Sequence, residues 1–148
     1  MSGETRLRAV VLLALAGFFV SLYMLLYHLG YYGQLVCGIG SCDTVQASKY
    51  ARFLGAPVPL WGTAWYAAVA VLGLLGAGAG GGRPWVGRLL GVAATGGLLF
   101  SVYLTAIELL VIHAVCMWCV VSAVITVLIF LLAEPWRLAR RASAEPAT

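Results

Sequence analysis

Long apolar stretches dominate the hydrophobic pattern of this chain, and short polar or glycine-rich segments separate them. The first stretch, 9–29, has 21 residues and a single ionisable side chain, His28, near its end. About 20 apolar residues are enough for a helix to cross the hydrocarbon core of a bilayer. Further stretches of this kind occupy about 58–78, 89–112 and 116–133. The pattern therefore predicts four membrane-spanning helices within a single domain, residues 1–148.

The longest connecting segment, 30–57, carries most of the polar residues between the first two spans. Its glycines and the charged side chains of Asp43, Lys49 and Arg52 make it too polar to cross a bilayer. Within it, residues 43–54 interleave apolar and polar positions, which is typical of an amphipathic helix lying at the interface. The predicted fold class is all-α: a polytopic membrane protein, built as a four-transmembrane-helix bundle with a short amphipathic helix in the outer loop.

Composition agrees with this class and excludes others. The chain is 63% hydrophobic and has nine basic and five acidic residues. Soluble domains carry about 45–50% apolar and about 25% charged residues. A soluble globular domain is thus excluded, and so is a disordered chain, which would be polar and charged. The net charge of +4 is spread between the apolar stretches, so it does not form the basic patch of a nucleic-acid-binding protein.

The distribution of basic residues predicts the orientation in the membrane. Four spans place both termini and the 79–88 loop on one side, and seven arginines lie there: Arg6, Arg8, Arg83, Arg88, Arg137, Arg140 and Arg141. The opposite side has only Lys49 and Arg52. Because cytoplasmic loops carry the excess of basic residues, both termini are predicted to be cytoplasmic. The 30–57 loop and the 113–115 turn are then extracytoplasmic.

Four cysteines form two close pairs, and this topology places all of them on the outer face. Cys37 and Cys42 lie in the 30–57 loop, whereas Cys116 and Cys119 form a Cys-Met-Trp-Cys motif at the start of the fourth span. Amides at a helix N-terminus stabilise a thiolate, which is the species that performs thiol–disulfide exchange. We expect Cys116 to lie nearer the exposed end and Cys119 to be buried one turn deeper. Such a pair would connect aqueous thiols to a membrane-soluble acceptor.

Two other interpretations of the cysteines remain open. They could form two structural disulfides, Cys37–Cys42 and Cys116–Cys119, but a bridge between residues three apart closes a very small loop and adds little stability. They could also bind zinc, but four sulfurs would have to converge on one ion while one pair is partly embedded in lipid. We therefore favour redox-active pairs and predict no metal.

Other residues near the outer face are further candidates. Glu108 is either a functional intramembrane carboxylate or an interfacial group bonded to Thr105 or His113. His113 either assists proton transfer or is only a turn residue, and Trp118, between the two cysteines, could line a pocket. The tryptophans near the predicted helix ends are assigned to the interfacial aromatic belt: Trp61, Trp65, Trp85 and Trp136.

With these residues placed, the chain resembles the vitamin K epoxide reductase family, and most closely its bacterial members that act as counterparts of DsbB. The resemblance covers roughly residues 9–133. The matching segments are Cys37-Gly-Ile-Gly-Ser-Cys42-Asp43, Ser48, Gly55-Ala56-Pro57-Val58-Pro59, residues 103–108 and Cys116-Met-Trp-Cys119.

The resemblance implies a bundle around a quinone, either ubiquinone or menaquinone, in a bacterial inner membrane. Cys37 and Cys42 would be the pair that shuttles electrons, Cys116 would exchange with the loop, and Cys119 would face the quinone. Ser48 matches the family serine near the quinone head group, and Trp118 is expected to contribute to the same pocket. Since no thioredoxin domain follows the fourth span, the electron donor is expected to be a separate thioredoxin-like protein of the DsbA type.

The expected function is that of a membrane thiol oxidoreductase. It would reoxidise its secreted partner and pass two electrons through the two cysteine pairs to quinone, which supports disulfide bond formation. One alternative is a vitamin K epoxide reductase in the strict sense, because the motif does not separate quinone from epoxide substrates. The other is a non-catalytic membrane scaffold with structural disulfides.

Overall fold

The computed structural model describes residues 3–31, 49, 52–77 and 84–133. These residues form four α-helices: α1 (Gly3–His28), α2 (Val58–Ala77), α3 (Pro84–Ile107) and α4 (Met117–Ala133). A π-helical segment, Glu108–Ile112, continues α3. A short antiparallel hairpin precedes α2, with strands β1 (Arg52–Phe53) and β2 (Ala56–Pro57).

Helix boundaries follow from glycine and proline. Gly30, with a φ of 93°, ends α1 in a Schellman motif. Its N–H donates to the Tyr27 carbonyl, and the Tyr31 N–H donates to the Leu26 carbonyl, both at 3.0 Å. At the start of a helix, Pro59 lies in the first turn of α2. Proline is tolerated there because N–H groups of the first turn have no partner within the helix. The third span begins at Pro84, five residues before its predicted start, because proline is favoured at the first helical position.

The helices pack as a bundle in which α1 contacts α2 and α4, and α3 contacts the same two helices. Glycines bring α1 and α2 close together: Gly17 faces the ring of Tyr66, and Gly62 faces Ser21. Small residues at such contacts are typical of helix packing in membranes, where backbones approach closely. The main buried core consists of Val10, Ala14, Tyr66, Val69, Ala70, Leu90, Ala94, Ile125 and Ile129.

In the described part of the chain, three helices are long and apolar enough to cross a membrane: Thr5–His28, Val58–Gly76 and Trp85–Ile112. The fourth, α4, is equally apolar in character but has only 17 residues. Large apolar side chains are exposed along the helices, as expected for surfaces in contact with lipid: Leu12, Phe19, Val92, Leu99 and Leu110. The observed helices thus confirm the predicted fold class.

The end of the predicted amphipathic helix differs from the structure. Residues 52–54 form strand β1 and the first turn residue, while the rest of the predicted helix, apart from Lys49, lies outside the described residues. Leu54 and Gly55 both have positive φ, 53° and 82°, as in the two-residue turns that match the twist of a hairpin. Pro57 cannot continue a helix from this turn, so the chain pairs Phe53 with Ala56 instead.

Candidate functional site

The connection between α3 and α4 is shaped by the π-helical segment. The Glu108 carbonyl accepts hydrogen bonds from the backbone N–H of His113 and, at 3.1 Å, from that of Ala114. His113 itself adopts the left-handed conformation, with φ 56° and ψ 34°, and its side chain is exposed. This geometry reverses the chain within a few residues and agrees with a turn role for His113.

Cys116 caps the start of α4. Its carbonyl accepts the first bond of the helix, from the Val120 N–H at 3.0 Å. Its sulfur interacts with the backbone amides of Trp118 and Cys119, which are the groups that an N-cap side chain satisfies. Its own N–H donates to Oε2 of Glu108 at 3.4 Å. The sulfur is thus held where the partial positive charge of the helix N-terminus is greatest.

The burial of Cys116 is opposite to the prediction. Cys116 is 0% exposed, and it packs against Met24 of α1 together with Tyr23 and Tyr27. Cys119 is partly exposed, and both residues are thiols in the structure. The expectation of an exposed Cys116 is therefore wrong, whereas Cys119 lies one turn deeper along α4 and faces the bundle, as expected. The reason is that α1 extends across the start of α4 and covers Cys116, whereas one turn later Cys119 faces a gap between helices.

Glu108 is buried beside both cysteines, with a side chain only 6% exposed. Its carboxylate accepts the Cys116 N–H and a hydrogen bond from the Cys119 thiol. The Cys119 side chain also hydrogen-bonds to that of Cys116. These partners replace Thr105 and His113, the partners that the sequence suggests. A carboxylate and two thiols thus form one hydrogen-bonded group at the end of the bundle where α3 connects to α4.

A cavity of about 350 Å³ adjoins this group. Residues from all four helices and from the hairpin line it, and Glu108 and Cys119 are among them. Most of the wall is apolar, and the aromatic side chains in it are Phe53, Trp61, Trp65, Tyr66 and Phe100. Apolar cavities with a few convergent polar groups are the usual form of a small-molecule site.

Trp65 fixes one wall of the cavity. Its indole N–H donates to the Ala93 carbonyl at 2.9 Å, and its ring lies directly on Gly97 of α3. The ring also packs edge-on against Tyr66, with centroids 4.9 Å apart. The assignment of Trp65 to the interfacial belt is therefore wrong, because its side chain turns into the bundle.

The hairpin covers another part of the cavity. Phe53 of β1 packs edge-on against Phe100 of α3, with ring centroids 5.4 Å apart. The Trp61 indole N–H donates to the Phe53 carbonyl at 2.9 Å. The described end of the outer loop is thus anchored to α2 and α3 at the cavity.

A hydroxyl cluster supplies polar groups on the side of α4. The Tyr66 hydroxyl lies 2.8 Å from the Ser122 hydroxyl and 3.1 Å from the Thr126 hydroxyl, and all three residues line the cavity. Sequence reasoning missed this cluster. A signal was present, because a tyrosine in the middle of an apolar helix needs a hydrogen-bond partner. The i, i+4 spacing of Ser122 and Thr126 on α4 provides one.

A second cavity of about 260 Å³ lies between α3 and α4. Glu108, Cys119 and Thr105 line it together with apolar residues of α4: Val120, Ala123, Val124, Val127 and Leu128. Glu108 and Cys119 therefore border both cavities, and they lie at the point where the two approach each other.

The remaining predicted site residues either lie outside the described part of the chain or contact another helix. Cys37, Cys42 and Ser48 lie outside the described residues. Trp118 packs edge-on against Tyr23 of α1, with ring centroids 5.3 Å apart. It is not among the described residues that line either cavity.

Apolar helices that carry a cysteine pair beside a largely apolar cavity are the arrangement expected of a membrane-embedded oxidoreductase. Comparison with known families matches residues 8–133 to the Vitamin K epoxide reductase family. The chain therefore belongs to this family, whose members are membrane oxidoreductases that act on thiols and quinones. The comparison with curated proteins gives no match.

Proposed function

We propose that this protein oxidises the thiols of an extracytoplasmic thioredoxin-like protein of the DsbA type and passes the electrons to a quinone. The observation that carries this proposal is the position of Cys119. Its thiol borders an apolar, aromatic cavity and hydrogen-bonds to the other cysteine of its motif, Cys116. One thiol of a redox pair is thus in contact with a site for an apolar acceptor.

The cavity fits a quinone head group in size and chemistry. Its volume of about 350 Å³ falls within the range of about 300–1,000 Å³ that is typical of ligand pockets. The rings of Trp65 and Phe100 offer faces and edges to a planar ring. The Tyr66 hydroxyl donates to the Ser122 carbonyl at 2.9 Å, so the Ser122 hydroxyl is the member of this pair that can offer its proton to a carbonyl oxygen. A bound quinone, ubiquinone or menaquinone, supplies a two-electron acceptor beside Cys119.

The proposed electron route has three exchanges. The partner's dithiol reduces the Cys37–Cys42 disulfide, and this loop dithiol then reduces a Cys116–Cys119 disulfide. The resulting thiols reduce the quinone to hydroquinone, so that two electrons and two protons are transferred in each cycle. Ser48 is proposed to support the quinone site from the outer loop.

Cys116 is the proposed point of exchange with the loop, and its burial adds a condition. Thiol–disulfide exchange needs direct access of the attacking sulfur to the disulfide. Because Met24 covers Cys116, the loop cysteine must displace Met24 to reach it. Exchange at Cys116 thus requires a local opening between α1 and α4.

The test is a single-turnover reaction with purified protein. We expect prereduced protein, mixed anaerobically with a short-chain quinone, to lose two thiols for each quinone reduced, as followed by quinone absorbance and a thiol count. Loss of thiols without quinone reduction, or the reverse, would contradict the proposal. The same assay with vitamin K epoxide in place of quinone separates strict epoxide reduction from quinone reduction.

A further inference from the structure

We propose that Glu108 is the proton carrier of the quinone-reducing step. Its carboxylate takes the proton of the Cys119 thiol and delivers it to an oxygen of the acceptor in the cavity. This inference rests on the proposed function and deepens it, since it assigns a catalytic task to a residue outside the cysteine pairs.

The placement of Glu108 is the first argument. Among the residues whose side chains the structure describes, it is the only carboxylate, and it is 6% exposed within apolar helices. A carboxylate inside a membrane domain is energetically expensive, and Glu108 lies beside a thiol rather than a basic side chain. It also borders both cavities, as does Cys119. It is thus adjacent both to the proton donor and to the space for the acceptor.

Glu108 is held in place by one contact and can accept a proton through another. The Cys116 N–H holds the carboxylate through Oε2 at 3.4 Å. The Cys119 thiol donates to the same carboxylate. A carboxylate accepts several hydrogen bonds at once, so the backbone bond can stay in place while the thiol proton is transferred. A general acid or base must lie within hydrogen-bond reach of the proton it moves, and Glu108 meets this condition.

The reaction balances with Glu108 as a carrier that is regenerated. Two thiols become one disulfide between Cys116 and Cys119, and they release two electrons and two protons. The electron pair reduces the quinone to hydroquinone. The Cys119 proton passes to Glu108 and then to one quinone oxygen. The Cys116 proton is released as the disulfide forms, and it reaches the second oxygen through the same carboxylate, which is bonded to the Cys116 N–H.

A purely structural role for Glu108 makes a different prediction, and Glu108→Gln distinguishes the two. The glutamine carbonyl can still accept the Cys116 N–H, but the amide does not accept and release a proton as a carboxylate does. Glu108→Asp keeps the carboxylate on a shorter side chain. Glu4→Gln makes the same chemical change near the start of α1, 17 residues from the cavity-lining Ser21, and serves as the matched control.

The experiment measures the first-order rate of quinone reduction by prereduced protein under anaerobic conditions, at several quinone concentrations, together with the Tm. For Glu108→Gln we expect a fall in the limiting rate of about 100-fold or more, as for loss of a general acid–base group. Quinone affinity and Tm should stay near the wild-type values. Glu108→Asp should recover part of the rate, and Glu4→Gln should match the wild type.

The outcomes separate this inference from the proposed function. If the wild type reduces quinone and Glu108→Gln does so at the same limiting rate, Glu108 is not the carrier. A Glu108→Gln variant that loses rate only together with quinone affinity or Tm also overturns the inference. If Glu108→Gln does not fold, Glu108→Asp decides: a limiting rate below the control's, with affinity and Tm retained, supports the carrier. A rate equal to the control's, or a loss of rate matched by lost affinity or Tm, refutes it. A wild type that does not reduce quinone refutes the proposed function itself.

Discussion

Cys116 and Cys119 are three residues apart, yet they have different surroundings. The first is covered by α1, and the second borders the cavities. We expect Cys119→Ser to abolish quinone reduction, because the sulfur beside the acceptor is lost, while Cys116 keeps its ability to form mixed disulfides. Anaerobic quinone absorbance and mass spectrometry of adducts with a small disulfide reagent would measure the two properties. Normal quinone reduction by Cys119→Ser would show that another sulfur contacts the acceptor.

Met24 provides a second prediction at the residue scale, because it packs directly on Cys116. In a Cys119→Ser background, Met24→Ala should increase the rate at which Cys116 is alkylated, since the truncated side chain leaves the sulfur uncovered. The substitution should also lower the free energy of unfolding by about 2–5 kcal/mol, as is usual for removing a buried methionine side chain. Tandem mass spectrometry locates and times the alkylation.

The control for Met24→Ala is Leu12→Ala, at a position on the same helix where the side chain is 68% exposed. This variant should leave the alkylation rate of Cys116 unchanged. Equal rates in the Met24 and Leu12 variants would mean that Met24 does not limit access to the sulfur.

At the scale of helices, α2 and α3 approach closely where Gly97 of α3 faces the Trp65 ring of α2. A Cβ atom at Gly97 would collide with the Trp65 ring, whereas one at Gly96 would meet nothing within 4 Å. Alanine is favoured over glycine inside a helix by about 0.5–1 kcal/mol. We therefore expect Gly96→Ala to raise the Tm and Gly97→Ala to lower it, as measured by thermal unfolding in one detergent. Equal shifts in the two variants would contradict the close packing of Trp65 on α3.

The sequence predicts where the helices lie along the chain, but it does not predict which side chains of different helices contact each other. Apolar length sets the approximate position of each helix, because a bilayer requires about 20 apolar residues, and three of the described helices are long and apolar enough to cross one. The hydrophobic pattern contains no information on which neighbour covers a given side chain. It therefore failed for Cys116, which is covered by a residue 92 positions earlier, Met24. It also missed Tyr66, whose partners are on α4.

The hydrophobic pattern also did not predict two local backbone structures, the π-helical segment and the hairpin. Four of the five residues in the π-helical segment, Glu108–Ile112, are apolar, as in an ordinary membrane-spanning helix, so its altered hydrogen bonding leaves no mark in the hydrophobic pattern. The hairpin at residues 52–57 had a detectable signal, because Gly55 and Pro57 both disfavour a helix there. Both residues follow the predicted amphipathic helix, 43–54, so they bear only on where that helix ends.

For the molecule as a whole, the arrangement of charges predicts its orientation. Seven arginines fall on the side of the termini and two basic residues, Lys49 and Arg52, on the other, so both termini should be cytoplasmic. A reporter that is active only outside the cytoplasm should be inactive when fused after Thr148. The same reporter fused after Tyr31, beyond the first span, should be active. Activity at both positions would show that the number of membrane crossings differs from four.

The π-helical segment also makes the number of residues between two functional groups part of the site. Glu108 and Cys116 are eight residues apart. Within this interval the His113 N–H donates to the Glu108 carbonyl, five residues earlier, which closes the π-helical turn. Each residue of an α-helix rotates the chain by about 100°. Deleting one residue from this interval would therefore turn the carboxylate away from the thiols while leaving every side chain of the site present. A transplanted or redesigned version of this site must preserve chain length here as strictly as it preserves the cysteines.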